Sequence, residues 1–259
     1  MVEHVLPESG ARQLYRDVAQ AEDAAFGKFV NDINDELSFL SMEIRIQTYQ
    51  GDGKKYYGLV NKVADDQAKL GTKFQHGQIA HFKAMLESIV TESKGAGAIS
   101  TMDAINLRPD LQGNTQASES SQAAAARTLS ASEKEKNIAE LITEGWLERL
   151  SDGHLALGPR TFMELRTVIQ SLDVPACKAC TEPAVKAQAC EAPGCSTWLH
   201  DHCAKSWFNR PGEPRTCPEC GAEWAAAPQE ETAAEERAEN LAANGHRNKK
   251  ARRERRSKT

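Results

Sequence analysis

Long apolar runs are missing from this 259-residue chain, and its first 176 residues contain no cysteine. Because no stretch reaches 18 apolar residues, neither a transmembrane helix nor a membrane partner is expected. The first dozen residues lack a basic segment followed by an apolar one, so a secretory signal peptide is not expected either. Cysteines of a chain that is not exported stay reduced, and are therefore available to a metal rather than to disulfides.

Excess positive charge is also missing from most of the chain. The net charge is -5, but residues 247–259 hold eight Lys or Arg and one Glu, so the rest carries -12. Residues 130–172 hold five Lys or Arg against seven Asp or Glu. Because affinity for nucleic acid rests on cations that neutralise phosphates, direct DNA binding by this body is not expected. The basic end has three interpretations: a DNA contact, a nuclear import signal, or a solvated segment.

Sequence motifs of common catalytic sites are absent as well. The sequence has no G-x-S-x-G, no phosphate-binding loop and no H-E-x-x-H, which are the patterns of serine hydrolases, nucleotide-binding enzymes and zinc proteases. No catalytic residue is assigned. Any enzymatic role would then be that of a scaffold that positions another enzyme's reactive group.

The pattern of apolar residues predicts two winged-helix domains in tandem. Residues 11–45 read as mostly helical; Ile44, Ile46 and Thr48 then alternate with polar residues before a Gly-Asp-Gly turn at 51–53. Alternating runs on both sides of Asp-Gly predict a β-hairpin. Helices followed by a hairpin are the order of a winged helix, which we assign to residues 1–72.

The same order returns in residues 73–172. Amphipathic patterns predict helices over 78–90, 102–107 and 132–144, the last opened by a capping box of Ser132 and Glu135. A second hairpin is predicted over 146–157, and Pro159 opens a final helix that runs to residue 172. The low-complexity stretch 111–127 is predicted to be a loop. Residues 226–259, rich in Ala and Glu and then basic, are predicted to be a disordered tail.

All seven cysteines lie between residues 177 and 220, within a predicted zinc module at 176–225. With one histidine they give the pattern C-x2-C-x9-C-x4-C-x4-H-x2-C-x13-C-x2-C. Structural zinc takes four sulfur or nitrogen ligands in a tetrahedron, so eight ligands predict two ions. In a cross-brace the ligand pairs alternate between two sets, Cys177, Cys180, His200 and Cys203 for zinc one and Cys190, Cys195, Cys217 and Cys220 for zinc two.

Three alternatives to this assignment remain open. Sequential pairing, as in LIM domains, is made awkward by the short gap between Cys195 and His200. A cluster of metal-free cysteines would require four paired spacings to coincide. His202 competes with His200, but its spacing to Cys203 is poorer. With all eight positions filled by protein, the zincs would be structural.

RING variants and PHD fingers share this pattern of eight ligands, in which seven are cysteines and the fifth is a histidine. Arg215 stands where a PHD finger usually has Trp, which disfavours that family, whereas Trp198 keeps it open. Trp207, four residues after Cys203, and Pro218 between the last two ligands resemble RING ubiquitin ligases. The fold expected is α+β: tandem winged helices, a C-terminal two-zinc cross-brace RING variant, and a disordered tail.

Over about residues 10–225 the chain resembles the RING-bearing non-SMC element subunit (non-structural maintenance of chromosomes element 1) of the SMC five–six complex. Besides the zinc module, the matching stretches are Phe29-Val30, Ile33-Asn34, Met42-Glu43-Ile44, Gly58-Leu59-Val60-Asn61, Glu144-Gly145-Trp146-Leu147, Leu157-Gly158-Pro159-Arg160 and Glu164-Leu165. The resemblance implies a nuclear, chromosome-associated subunit in DNA repair. Its implied partners are a MAGE-family winged-helix protein and a kleisin, with DNA reached through the complex.

The resemblance also implies ubiquitin ligase activity that the MAGE partner stimulates. Residues equivalent to Ala179, Trp207 and Pro218 form the groove in which RING ligases hold a ubiquitin-conjugating enzyme. Two positions depart from active RINGs, because Ala179 replaces a larger aliphatic residue and Gly221 stands where many have Arg. Both predict a weak or partner-dependent ligase. The alternative is a scaffold whose zinc module only mediates protein contacts, and a simple packing role for Trp207 also stays open.

Overall fold

A computed structural model describes residues 4–20, 23–62, 74–109, 129–209 and 214–224 of the chain. The loop predicted at 111–127 and the tail predicted at 226–259 lie outside these ranges. In the part that is described, no helix combines the length and the apolar character needed to cross a membrane.

The first winged helix packs two helices on a three-stranded antiparallel sheet. It runs β1 (Val5–Pro7), α1 (Glu8–Ala19), α2 (Phe26–Leu37), β2 (Met42–Thr48) and β3 (Lys55–Asn61), with sheet order β1-β3-β2. The hairpin predicted from alternation and the Gly-Asp-Gly turn is present as β2 and β3. Strand β1 was not predicted, because three residues are too few to show a period and their partner strand lies fifty residues away.

Aromatic side chains fill the small core beneath this sheet. Tyr15 of α1 lies 5.5 Å from Phe26 between ring centroids, and Phe26 lies 5.3 Å from Tyr57 on β3. Asn34 on α2 fixes the helix to the sheet, since its side chain accepts from the Ile44 N–H and donates to the Ile44 carbonyl. This pair of bonds satisfies an edge position of β2.

The second winged helix repeats the arrangement with a sheet of order β4-β6-β5. Its elements are α3 (His76–Glu87), extended by a π-helical turn at Ser88–Glu92, then β4 (Ala98–Ile99), α4 (Thr101–Asn106), α5 (Ala131–Thr143), β5 (Leu147–Arg149), β6 (Leu155–Leu157), α6 (Pro159–Glu164) and α7 (Arg166–Ser171). The helix predicted over 159–172 is therefore two helices, which meet at Leu165. Leu165 is buried with φ -106° and ψ 24°, so tertiary packing breaks a helix that the sequence pattern alone would continue.

The capping box predicted at the start of α5 is wrong by two residues. Ser130, not Ser132, is the N-cap: its hydroxyl accepts from the Glu133 N–H, and the Glu133 carboxylate accepts from the Ser130 N–H. The motif S-x-x-E occurs twice here, two residues apart, and either copy satisfies the pattern. The structure selects the first copy because Ser130 has the extended backbone that an N-cap needs.

The hydrophobic core of the second winged helix extends to Tyr49 of the first hairpin, and we call it the shared core; the rest of the first winged helix keeps its own core around Tyr15 and Phe26. Tyr49, at the end of β2, is buried with residues of α3, α5 and α6, and its hydroxyl donates to the Leu157 carbonyl at 2.9 Å and also contacts Glu148. Burial raises the pKa of Tyr49 far above its usual value, aided by the bond to Glu148. Arg45 on the same strand donates to the Met163 carbonyl at 2.6 Å. The first hairpin is thus held against the second winged helix by apolar and polar contacts together.

The C-terminal module consists of β7 (Ala187–Ala189), β8 (Trp198–His200) and α8 (Asp201–Phe208), with its own core of cysteines, Leu199 and Trp224. It is not separate from the winged helices, because Val185 belongs to the same core as Tyr49. On the side of the second winged helix, the Gly95 carbonyl accepts from the Ala187 N–H at 2.9 Å, and Ala96 pairs with Lys186. The mixed helix-and-strand class predicted from the sequence, with a C-terminal zinc-binding module, is confirmed.

Candidate metal centre

Two Cys-x2-Cys turns of the C-terminal module have the same backbone geometry. In the first turn the Cys177 N–H donates to the Glu182 carbonyl and the Thr181 N–H donates to the Cys177 carbonyl. In the second, Cys217 bonds to Ala222 and Gly221 bonds to Cys217 in the same way. Thr181 and Gly221 both have a positive φ, of 63° and 70°. Each turn therefore closes tightly enough to aim two thiols at one point.

The structure brings the first four candidate ligands into one group. The coordinating atoms of Cys177, Cys180, His200 and Cys203 all lie within 4.8 Å of one another. His200 Nδ1 is 3.3 Å from Cys180 Sγ and 3.8 Å from Cys203 Sγ. Since His200 is the N-cap of α8 and Cys203 lies in the first turn of that helix, the start of a short helix supplies one pair of ligands and the first Cys-x2-Cys turn supplies the other.

The remaining four cysteines form the second group. Cys190, Cys195, Cys217 and Cys220 also lie within 4.8 Å of one another. The sulfur-to-sulfur distance is 3.7 Å from Cys190 to Cys220 and 3.8 Å from Cys195 to Cys217. The groups alternate along the chain, as in the cross-brace arrangement, and not in the sequential pairing of a LIM domain.

These distances fit a tetrahedral zinc ion. Four sulfurs at ~2.3 Å from a common centre are separated by about 3.8 Å, and the measured separations agree. The two clusters are thus consistent with two structural zinc ions, and their four protein ligands leave no position for a reacting water.

A single hydrogen bond determines which nitrogen of His200 faces the metal. His200 Nε2 lies 3.1 Å from the Pro183 carbonyl. A carbonyl only accepts, so Nε2 carries the proton and Nδ1 is left with the lone pair that a metal needs. His202, the competing candidate, lies outside both groups; its ring stacks on that of His200 at 5.2 Å, and it packs against Gly53 of the first hairpin.

The three predicted contacts for a conjugating enzyme lie on the same module. Ala179 is exposed, Trp207 on α8 is 36 % exposed, and Pro218 is half-buried. Lys178 and Glu219, the neighbours of Ala179 and Pro218, form an ion pair, and this bond raises the pKa of Lys178. The two zinc turns therefore meet at their surface next to two of the three residues. The role of these residues stays a prediction.

Sequence reasoning missed one buried residue next to the zinc module. Gln50 is only 4 % exposed and hydrogen-bonds to the backbone of residues 183–186. It precedes a Gly-Asp-Gly turn, where a polar side chain normally faces water. No local signal marks it, because its partners lie more than 130 residues further along the chain.

Two family models match the chain. Residues 1–165 match the model described as the Nse1 non-SMC component of the SMC5-6 complex. Residues 177–220 match the RING-like domain, a range that begins and ends on the outermost zinc ligands.

Curated relatives and a solved structure agree with these matches. The chain is 27 % identical over 232 residues to a "Non-structural maintenance of chromosomes element 1 homolog" from Pongo abelii. The aligned region covers 86 % of this chain and 80 % of the relative. A relative of the same name from Xenopus laevis is 27 % identical over 228 residues, covering 85 % and 77 %. A chain of a solved "Nse1-Nse3-Nse4 complex" superposes with a TM-score of 0.71 at 25 % identity, covering 87 % of this chain and 93 % of that chain.

Proposed function

The chain belongs to the Nse1 family of non-SMC components of the SMC5-6 complex, and from that premise we propose that it is a RING-type E3 ubiquitin-protein ligase. In this proposal the zinc module recruits a ubiquitin-conjugating enzyme, and a MAGE-family partner stimulates transfer. The zinc ions hold the module in shape and take no part in the chemistry. The conjugating enzyme contributes the reactive thioester.

The observation that supports a ligase is the surface between the two zinc turns. A RING-like model matches the module, both ligand sets are complete, and Trp207 exposes apolar area on α8, the helix that carries Cys203. Exposed aromatic residues of this kind are typical anchors of protein interfaces. The ion pair of Lys178 with Glu219 keeps the two turns together at the proposed edge of the groove.

The test is ubiquitin transfer by the chain with its MAGE partner across a panel of conjugating enzymes. Truncating an aromatic anchor costs about 2 kcal/mol or more of binding, roughly thirtyfold in affinity. Trp207→Ala should therefore abolish transfer at limiting conjugating enzyme while zinc content stays at two ions. Lys205→Ala, an exposed change on the same helix, is the matched control and should transfer normally. Ala179→Ile should raise transfer by restoring an aliphatic contact.

A second candidate function is a non-enzymatic scaffold of the same complex. The small side chains at Ala179 and Gly221 favour it, since both reduce the area offered to a conjugating enzyme. If the wild-type chain with its partner transfers no ubiquitin with any conjugating enzyme, the ligase proposal fails and the scaffold replaces it. Trp207→Ala could then not lower ubiquitin transfer, because the wild-type chain transfers none.

The partner surface is proposed to lie on the winged helices. The resemblance implies a MAGE-family winged-helix protein and a kleisin, and the solved relative is titled as a complex with Nse3 and Nse4. Six of the eight large apolar side chains found exposed in the described part of the chain lie in the first winged helix; we call them the apolar surface: Leu14, Val18, Phe39, Leu40, Ile46 and Leu59. Exposed apolar side chains concentrated on one domain are candidates for a protein interaction site.

The arrangement of these residues suits a protein partner. Leu14 and Val18 are one turn apart on α1, and Ile46 and Leu59 share one face of the sheet because Leu59 pairs with Ile44. Phe39→Asp, at a side chain that is 79 % exposed, should reduce co-purification of the MAGE partner at least tenfold. Met102→Asp, at a side chain 65 % exposed on the second winged helix, is the matched control. Equal effects of the two variants would place the interface elsewhere.

Deleting residues 176–259 is a coarser test of the same idea. If the winged helices carry most of the affinity, the remaining fragment should still bind the MAGE partner. The deletion also uncovers the shared core, since it removes Val185, so the fold of the fragment has to be checked by circular dichroism. A folded fragment that does not bind would assign the interface to the zinc module.

We also propose a nuclear, chromosome-associated location, with DNA contacted through the complex. Residues 247–259, with eight Lys or Arg, are the candidate import signal. A fluorescent fusion without these residues should lose nuclear accumulation, whereas one in which Lys and Arg are exchanged for each other should keep it. Nuclear accumulation of the truncated fusion would refute the import role.

A further inference from the structure

The side chain of Gln50 uses both ends of its amide on the zinc module. Its Oε1 accepts from the Val185 N–H at 3.2 Å and the Lys186 N–H at 3.0 Å, and its Nε2 donates to the Pro183 carbonyl at 2.8 Å. Gln50 belongs to the first winged helix, where it directly follows Tyr49 at the end of β2. Because it is 4 % exposed, water does not compete for these bonds.

The Pro183 carbonyl connects Gln50 to a zinc ligand. The same oxygen that accepts from Gln50 Nε2 also accepts from His200 Nε2 at 3.1 Å, and from the Val185 N–H at 3.1 Å. The bond from His200 sets the orientation and tautomer of the ring that offers Nδ1 to zinc. Groups that hold such a bond in place affect metal affinity although they do not touch the metal.

We propose that Gln50 is a positioning residue of the zinc site formed by Cys177, Cys180, His200 and Cys203. It fixes the Pro183 carbonyl where that carbonyl orients His200, and so it makes the stability of one zinc site depend on the first winged helix. Only glutamine suits the position: glutamate has no donor for Pro183, asparagine is shorter by one methylene, and methionine makes none of the three bonds. This inference goes beyond the ligase proposal and does not rest on it.

The two zinc sites of one molecule allow a test with an internal reference. Site one has three thiolates and an imidazole, and site two has four thiolates, so cobalt-substituted full-length chain reports the two separately by absorption. Release of metal to an excess of chelator then gives a rate for each site. In Gln50→Glu the carboxylate faces the Pro183 carbonyl without a proton to donate. Loss of a group bonded directly to a ligand typically weakens metal binding by about 10- to 100-fold, and Gln50 acts one bond further out. We expect the ratio of site-one to site-two release to rise by up to about tenfold, the lower end of that range.

A second readout follows the hydrogen bond itself. In zinc-loaded chain labelled with 15N-histidine, the His200 Nε2–H proton should be protected from exchange in wild type and exchange faster in Gln50→Glu. If that variant does not fold, Gln50→Met, which is neutral and of similar volume, takes its place with the same direction of change.

Tyr49→Phe is the matched control. It removes the hydroxyl bonds to Leu157 and Glu148 from the same hairpin but leaves Pro183 untouched. Its site-one to site-two ratio should stay at the wild-type value. The proposal is overturned if the ratio is unchanged in the Gln50 variants, or if Tyr49→Phe raises it equally, because either result would reduce Gln50 to general packing of the hairpin.

Discussion

Substitution of Gly97 by alanine tests how strongly the zinc module is attached to the second winged helix. Gly97 has φ of +67°, and a Cβ built on it would lie 2.8 Å from Lys186 Cβ, 3.1 Å from Lys186 Cα and 3.2 Å from the Val185 carbonyl. Two of these three atoms belong to backbone, which cannot move aside as a flexible side chain would. The added methyl must therefore push the module away or displace the loop.

Gly153 provides a matched control for the backbone part of this effect. It lies in the β5–β6 turn with φ of +88°, and a Cβ there meets nothing within 4 Å. A left-handed conformation costs a non-glycine residue roughly 1–2 kcal/mol, so Gly153→Ala should show this cost alone. Gly97→Ala should add an overpacking cost of about 1–3 kcal/mol. In a chain of this size each kcal/mol lowers Tm by roughly 2–4 °C, so the two variants should differ by at least that much.

The assay combines thermal unfolding with hydrogen exchange. Gly97→Ala should have the lower Tm, and it should lose exchange protection at the Ala187 N–H, which donates to the carbonyl of Gly95, two residues before the substitution. Gly153→Ala should leave that amide protected. If Gly97→Ala is no less stable than Gly153→Ala, and Ala187 stays protected, the close contact between the module and this loop is not the constraint we infer.

Three further predictions concern the metal, one helix cap and one buried histidine. Native mass spectrometry should give two zincs per wild-type chain and one for Cys190→Ser, and retention of both would contradict the alternating ligand sets. Ser130→Ala should lower the free energy of unfolding by about 1 kcal/mol, whereas Ser132→Ala should change it by less than about 0.5 kcal/mol. A larger loss for Ser132→Ala than for Ser130→Ala would mean that Ser132 is the N-cap after all. Burial lowers the pKa of His81 below its ordinary value of 6.5. The neutral, buried ring therefore contributes its full stability above pH 6.5, and this contribution is lost as the pH falls through the lowered pKa. His81→Gln should therefore flatten the decline of Tm below about pH 6.5, and an unchanged decline would mean that another group causes it.

Local chemistry explains what the sequence could predict. Each Cys-x2-Cys turn places two ligands by its own backbone geometry, so spacing alone pointed to the alternating sets in which the structure groups all eight residues. The hairpin of β2 and β3 was likewise predictable, because alternation and the Gly-Asp-Gly turn lie within twenty residues of each other. The family resemblance rested on these same features and is confirmed.

What could not be predicted depends on contacts between distant parts of the chain. Gln50 and Tyr49 are polar residues beside a turn, and only their partners in other domains show that both are buried. The break at Leu165 arises because its side chain enters the shared core. For Gln50, Tyr49 and Leu165 the deciding neighbour is set by the tertiary fold. The choice between Ser130 and Ser132 is a different case, because both copies of the motif satisfy the pattern and only the extended backbone of Ser130 distinguishes them.

The shared core also has a consequence for synthesis of the chain. Gln50 and the two backbone N–H groups that donate to it, at residues 185 and 186, are separated by about 135 residues. At ~5–20 residues per second, the first hairpin emerges roughly 7–27 s before the segment that covers it. During that interval Tyr49 lacks part of its final surroundings, and the apolar surface of the first winged helix is exposed as well. If the proposed partner binds this surface, capture of the nascent chain would protect the same side chains while the ribosome completes the zinc module.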